Sequence, residues 1–139
     1  MIKPVDYQAL LEGAKILPVE NWQKFTFVHV KPESDTIENK EIDKLKQTLR
    51  DGGNSYNQAG LYAYKQNNEL LYIGKGNPIF KRLKSHYRDS FQPPNPSGKG
   101  NRWKAFFSQY TGDLKIYWIE VDDESTRQIL EIALHKVLK

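Results

Sequence analysis

Residues 60–89, GLYAYKQNNELLYIGKGNPIFKRLKSHYRD, hold the pattern from which the fold is predicted. Two short apolar and aromatic segments, 61–66 and 69–74, are separated by an Asn-Asn pair, which favours a β-hairpin with a tight turn. A Gly-Lys-Gly turn follows the second segment. Pro78 then opens a basic helical pattern, because the N–H that proline lacks is not needed in the first turn. The stretch therefore predicts a hairpin followed directly by a helix.

The residues before the hairpin predict a helix, an extended segment and a second helix. Asp6 is a candidate cap for a helix over 6–15. The aromatic and β-branched residues of 22–31 favour a strand or an extended arm. A loose apolar stripe predicts a helix over 34–50, and the glycine-rich residues that follow it are a firm break.

The residues after the hairpin helix predict a loop, a helix, a strand and a last helix. Residues 90–101 are rich in Pro, Gly and Ser and are predicted to form a mobile surface loop. A helix over 102–110 and a buried strand over 114–121 come next. Residues 122–125 are expected to cap a last helix that runs to 137 or 138, with Ser125 and Gln128 in the spacing of a capping box.

This order of elements is typical of an α+β fold with a small sheet of about three strands and helices packed on it. A chain of 139 residues is the size of one ordinary domain. We expect an N-terminal extension over residues 1–55 that packs on the core, and a central module over residues 56–139.

The composition excludes several classes of protein. Cysteine is absent, which removes disulfides, thiolate nucleophiles and zinc-thiolate sites together. No apolar run reaches the length of a bilayer span, and the N-terminus lacks the apolar core of a signal peptide. These observations predict a cytoplasmic protein with no membrane partner.

Positive charge is concentrated in one part of the chain. Residues 60–115 hold ten Lys and Arg against three acids, whereas the rest holds eleven against fourteen. Such clustering suits a polyanion partner, and a lysine-rich solvated surface is the alternative. The candidate contacts with nucleic acid are Lys75, Lys81, Lys84, Arg88, Lys99, Arg102 and Lys104.

The candidate chemistry consists of phenols, cations and one carboxylate. No Walker A loop, dinucleotide fingerprint or His-Glu-x-x-His pair is present. Tyr62 and Tyr72 lie on the two hairpin strands, where they can share one face. Arg82 and His86 are four residues apart on one helix face. Two further candidates are Lys75, in the Gly-Lys-Gly turn, and Glu131, which interrupts an apolar run of the last helix.

These residues, in this order, resemble the GIY-YIG nuclease superfamily. The elements of the resemblance are Gly60-Leu61-Tyr62, Tyr72-Ile73-Gly74, Arg82-x-x-x-His86 and Leu130-Glu131, with leucine at the isoleucine position of the first triplet. The resemblance covers about residues 59–138. It implies a three-stranded antiparallel sheet flanked by helices, and a metal-dependent endonuclease that hydrolyses DNA phosphodiester bonds by water attack.

The resemblance also implies roles for the catalytic candidates. Arg82 would stabilise charge on the scissile phosphate, and Glu131 would hold one Mg²⁺ or Mn²⁺ ion. His86 matches a histidine of some members, and Lys75 matches a lysine of several branches. Tyr62 is the first choice as general base, with Tyr72 hydrogen-bonding the water or the phosphate, and the reverse assignment stays open.

Other interpretations of the same residues remain. The tyrosines fit ordinary strand aromatics, and Glu131 fits a surface ion stripe with Arg127 and His135. The aromatics of 102–110 are expected in the core rather than in a base-stacking platform. The rival functions are a nucleic-acid-binding module without cleavage and a protein-interaction domain.

The partner is expected to be DNA, with RNA or branched DNA as open alternatives. No separate sequence-reading motif is present. Specificity would therefore come from residues 1–55, from the 90–104 region, from a homodimer or from a partner chain.

Overall fold

The computed structural model describes residues 2–29, 47, 58–90, 98, 101–110 and 112–138. The elements in chain order are α1 (Tyr7–Gly13), a 3₁₀ turn (Val19–Asn21), β1 (Gln23–His29), β2 (Gly60–Gln66), β3 (Glu69–Gly76), α2 (Ile79–Ser90), α3 (Asn101–Gln109), β4 (Gly112–Glu120) and α4 (Glu124–Leu138). The described residues thus form an α+β fold, as predicted.

The sheet has four strands rather than the three predicted. Its order is β1-β4-β2-β3, and every neighbouring pair is antiparallel. The fourth strand is β1, which the sequence left open as a strand or an extended arm. It pairs with β4 from Gln23 opposite Trp118 to His29 opposite Gly112. Backbone groups on that side of β4 need hydrogen-bond partners, and β1 supplies them. The three-strand count implied by the GIY-YIG resemblance is therefore wrong for this chain.

The predicted hairpin is confirmed. Asn67 and Asn68 both have positive φ, 52° and 65°, as a two-residue turn between twisted strands requires. Tyr62 lies opposite Gly74 in the register of β2 and β3, and Tyr64 lies opposite Tyr72. Since opposed residues of an antiparallel pair point to the same side, the hairpin tyrosines share one face of the sheet, as expected.

The two faces of the sheet carry separate cores. On one face, α2 and α3 pack their apolar residues against Tyr62, Tyr64 and Trp118. The apolar residues of α2, Ile79, Phe80, Leu83 and Tyr87, are all buried there. On the other face, α1 and α4 pack against Leu61, Ala63, Ile73 and Tyr117. Strand β3 forms one edge of the sheet, so the rim between α2 and α4 can open to solvent.

The helix caps agree with the sequence at α1, and at α4 the cap lies within the predicted residues 122–125 but is not the predicted capping box. The carboxylate of Asp6 accepts a hydrogen bond from the Ala9 N–H at 3.0 Å, as expected. At α4 the capping residue is Asp123, whose carboxylate accepts from the Thr126 N–H at 2.9 Å and from the Thr126 hydroxyl at 2.7 Å. The proposed box of Ser125 and Gln128 is therefore wrong, because the helix begins one residue before Ser125.

Some predictions lie outside the described residues. They are the 34–50 helix apart from residue 47, the break after it, the domain boundary at 55 and most of the 90–101 loop. The division into an extension and a module therefore stays a prediction. Across the part of the chain that is described, no helix is long and apolar enough to cross a membrane.

Candidate active site

A cleft of about 610 Å³ opens at the rim formed by β3, α2 and α4. It brings together four of the predicted site residues: Tyr72, Lys75, Arg82 and Glu131. They come from three elements that are distant along the chain. The lining is completed by Gly76, Asn77, Glu124, Arg127 and Gln128. The cleft therefore collects phenol, cation and carboxylate groups in one solvent-accessible space.

The two glycines of the Gly-Lys-Gly turn allow this close approach. A Cβ atom on Gly76 would lie 2.9 Å from Cγ of Arg82 and 2.9 Å from Cα of Ile79. A Cβ atom on Gly74 would lie 2.6 Å from the hydroxyl oxygen of Tyr62. Side chains at these positions would displace either the arginine stem or the buried phenol. Lys75, between them, is half-buried and faces the cleft.

Tyr62 does not line the cleft. Its side chain is fully buried on the α2–α3 face of the sheet, and its hydroxyl lies 3.4 Å from Nδ1 of His86. Burial raises the pKa of Tyr62 well above its usual value, and Tyr64 and Tyr72 raise it further, while Arg82 acts in the opposite direction. The phenol is therefore protonated at neutral pH. This burial argues against Tyr62 as general base, a role that stays a prediction.

His86 is also buried beside the cleft rather than in it. Its ring stacks on Trp103 with centroids 3.6 Å apart and an interplanar angle of 13°. Burial lowers the pKa of His86 to about 3, helped by the positive charges of Arg82 and Arg102. The imidazole is therefore neutral at physiological pH. In this position it supports Tyr62 and Trp103, and a catalytic role for His86 stays a prediction.

Tyr72 is the tyrosine that reaches the cleft. It is half-buried, its ring meets Trp103 edge-on at 4.9 Å, and the guanidinium of Arg102 lies 5.1 Å above its ring. Of the two motif tyrosines, Tyr72 is therefore the one that can meet a water or a phosphate in the cleft, and which of them is the general base stays a prediction.

The charged groups of the cleft are mixed. Lys75, Arg82 and Arg127 supply positive charge, and Glu124 and Glu131 supply carboxylates. Glu131 is half-buried, whereas Glu124 is exposed. Within the described residues Arg127 and Glu131 form no ion pair, and Nη1 of Arg127 donates to the carbonyl oxygens of Val121 and Asp122.

The carboxylates fit a weakly held hard cation. Within the described residues, no group of three or more His, Asp or Glu side chains is arranged to hold a metal ion. Mg²⁺ keeps most of its waters and is commonly bound by one or two carboxylates together with substrate phosphate. Glu131 and Glu124, seven residues apart on one face of α4 in the same cleft, would be the carboxylates of such a site, and the metal stays a prediction.

Sequence reasoning did not select Glu124, Arg127, Gln128 or Asn77 as site residues. The first three could have been found from Glu131 alone. Residues three, four and seven positions before it on a helix lie on the same face, and that face is the one that lines the cleft. Asn77 follows Gly76 directly and had no comparable signal.

The remaining basic candidates lie on or beside the α2–α3 layer. Lys81, Arg88 and Arg102 are exposed and Lys84 is half-buried. Lys99 and the side chain of Lys104 lie outside the described residues. Contacts of these residues with nucleic acid stay predictions. Trp103 and Phe107 are buried and Phe106 is half-buried, which confirms the expectation that they belong to the core.

Comparison with known proteins gives one partial match. The chain is 36% identical over 83 residues to the UvrABC system protein C of Nautilia profundicola. The match covers 59% of this chain and 13% of that protein, so the chain spans a small part of the length of that relative. No family model matches the chain. No solved structure matches it either.

Proposed function

We propose that this protein is a divalent-metal-dependent endonuclease that hydrolyses DNA phosphodiester bonds by water attack. The observation that carries the proposal is the cleft at the β3 rim, which Tyr72, Lys75, Arg82 and Glu131 line together. These groups match the needs of phosphodiester hydrolysis: charge neutralisation at the phosphate, a proton acceptor for water and a cation site.

The similarity to UvrABC system protein C supports the same proposal. It suggests a nuclease-related function in DNA repair. The similarity is also consistent with the resemblance of the motifs in residues 59–138 to the GIY-YIG nuclease superfamily. The substrate structure and the sequence preference do not follow from a match to 13% of that protein.

The roles of the side chains follow from their positions. Glu131 would hold Mg²⁺ or Mn²⁺, with Glu124 as the second available carboxylate. A bound divalent ion supplies charge neutralisation and makes water a better nucleophile. Arg82 and Lys75 approach the phosphate from the other wall of the cleft. Tyr72 contacts the attacking water: as a phenolate it would take the proton of the water and become a phenol, and as a phenol it would orient the water.

Tyr62 and His86 support this arrangement from behind. Tyr62 packs against Gly74, which follows Tyr72 and Ile73 on β3, and its hydroxyl meets the His86 ring. Because burial keeps Tyr62 protonated and His86 neutral, both act by holding the wall of the cleft in place. They do not carry charge in the reaction.

A second candidate function is nucleic-acid binding without cleavage. The buried, protonated state of Tyr62 favours it, because a proton acceptor is then left to Tyr72 alone. The same cations would still bind a phosphate backbone, and that binding would weaken as salt rises.

Supercoiled plasmid separates the two candidates. The protein is incubated with plasmid and Mg²⁺, beside EDTA and beside a Glu131→Gln variant. Nicking that requires both the metal and Glu131 supports the enzyme. Salt-sensitive binding without nicking supports the binding module, and the absence of binding at low salt contradicts both. Linear, branched and single-stranded DNA and RNA, tested in parallel, then define the substrate.

A further inference from the structure

Arg127 is a buried cation in the wall of the cleft. Its side chain is 5% exposed, and among the described residues the other buried polar side chains are His86 and Ser90. A buried guanidinium is unfavourable unless its charge and its donors find partners. The partners of Nη1 are neutral: the carbonyl oxygens of Val121 at 2.9 Å and Asp122 at 2.7 Å. No carboxylate within the described chain forms an ion pair with Arg127.

The remaining donors of Arg127 keep some access to solvent. A guanidinium carries five N–H groups, and the two carbonyls engage Nη1 alone. Across the described residues, the fully buried side-chain atoms without a hydrogen-bond partner are Gln58 Oε1 and Trp118 Nε1. Nε and Nη2 of Arg127 are not among them, so both retain a small accessible area. Since the residue lines the cleft, we infer that this area belongs to the cleft.

The position of Arg127 is fixed more firmly than that of the other cations. Arg82 is exposed, and Lys75 carries its charge on a flexible stem. Arg127 is held by two carbonyls at the β4–α4 junction, and it lies one helical turn before Glu131. With Nη1 held by the two carbonyls, the Nε and Nη2 donors of this guanidinium have a fixed orientation. Two such parallel donors match two oxygens of one phosphate group.

We propose that Arg127 is a second phosphate-binding arginine of this cleft. Nε and Nη2 would hold two non-bridging oxygens of a phosphodiester, while Nη1 stays on the carbonyls of Val121 and Asp122. The identity of the ligand as a nucleic-acid backbone rests on the proposed function. The anion site itself does not, since it follows from a buried guanidinium that lines the cleft and whose hydrogen bonds within the described residues go to neutral carbonyls.

Binding of a short fluorescein-labelled DNA duplex, measured by anisotropy in EDTA, tests the proposal without cleavage. Arg127→Gln removes the charge and is expected to weaken binding at least about tenfold. It should also reduce the slope of log K against log salt by about 0.9. Arg127→Lys keeps the positive charge but loses the two parallel N–H donors of the guanidinium. The affinity for the duplex should therefore fall while the slope of log K against log salt stays the same. Lys24→Gln is the matched control, because Lys24 is an exposed cation on β1, over the ring of Tyr117.

A measurement on the unaltered protein covers the case in which the variants do not fold. The assigned Nε–H NMR signal of Arg127 is followed while dimethyl phosphate is added. The signal is expected to shift with saturation. An unmoved signal, or a folded Arg127→Gln or Arg127→Lys variant that binds the duplex with wild-type affinity, overturns the proposal.

The outcome is distinguishable from failure of the nuclease function. A protein that binds the duplex through Arg127 and nicks no DNA in Mg²⁺ retains the anion site and refutes the enzyme. A protein that nicks DNA, and whose folded Arg127 variants nick and bind as well as the wild type, retains the enzyme and refutes the anion site.

Discussion

Gly74 has no room for a methyl group, which makes Gly74→Ala a sharp test of the packing behind the cleft. A Cβ atom there would lie 2.6 Å from both Cζ and the hydroxyl oxygen of Tyr62, and 2.8 Å from Cε1 of Tyr72. The Tyr62 ring cannot easily retreat. It is fully buried, and its centroid is 5.7 Å from Tyr64, 6.0 Å from Tyr72 and 5.9 Å from His86.

Overpacking of a close-packed core costs about 1–3 kcal/mol. We expect the upper half of that range, because two aromatic rings must move together. For a domain of this size a loss of 1 kcal/mol lowers the melting temperature by roughly 4 °C. Thermal unfolding followed by circular dichroism should therefore show a drop of roughly 8–12 °C for Gly74→Ala.

Gly13→Ala is the matched control. A Cβ atom at Gly13 meets nothing within 4 Å, and Gly13 is the last residue of α1. Alanine is favoured over glycine in a helix by up to about 1 kcal/mol, so the melting temperature should stay or rise. If Gly74→Ala melts at the wild-type temperature, the tight contact with Tyr62 is wrong, and with it the account of how β3 is positioned.

Three further predictions concern α2, α3 and α4. Burial lowers the pKa of His86 to about 3 in the folded protein. The unfolded chain therefore binds a proton at this residue near pH 6.5, whereas the folded chain binds it only near pH 3. Stability should therefore be full above pH 6.5 and fall as the pH drops from there towards 3, and urea unfolding at several pH values should show a smaller loss in His86→Phe. Trp103→Ala should lower the free energy of unfolding by about 3–5 kcal/mol, because Trp103 packs against His86, Tyr72 and Phe107. A variant that lost DNA binding at unchanged stability would instead support the base-stacking platform. Asp123→Ala should lower the melting temperature and Ser125→Ala should not, since Asp123 caps α4; equal effects would contradict this cap.

The hairpin and its helix could be predicted because their signals are local. Two aromatic segments, an Asn-Asn turn and a basic amphipathic pattern each act within a few residues. The fourth strand could not be fixed in this way. Whether residues 23–29 form a strand depends on their pairing with the edge of β4, about ninety residues away in the chain. The residue pattern within the segment carries no information about that pairing. The predicted range 122–125 does contain the cap of α4, Asp123. Only the capping box was misplaced, because Asp123 and Ser125 both suit an N-cap and only the start of the helix decides between them.

The candidate site was predicted in part for a related reason. Motif order identified Tyr72, Lys75, Arg82 and Glu131, and these four line one cleft. It could not distinguish the two tyrosines, because both alternate to the same face of the hairpin. Burial separates them: β3 is an edge strand, so Tyr72 reaches the rim, whereas Tyr62, on the inner strand β2, lies beneath α2 and α3. The spacing of Arg127 from Glu131 places it on the cleft face of α4, but the carbonyls of the β4–α4 junction that hold its side chain carry no sequence signal.

The central claim is that hydrolysis takes place in the cleft at the β3 rim and not in the buried tyrosine layer behind it. Plasmid nicking in Mg²⁺ by Tyr72→Phe and Tyr62→Phe, with folding of each variant checked by circular dichroism, tests this claim most directly. The account predicts that Tyr72→Phe slows nicking by about 10²-fold or more, as expected for loss of a group that transfers a proton. A folded Tyr62→Phe should stay within about tenfold of the wild type, because a buried neutral phenol transfers no proton. The reverse order of the two rates would contradict the claim.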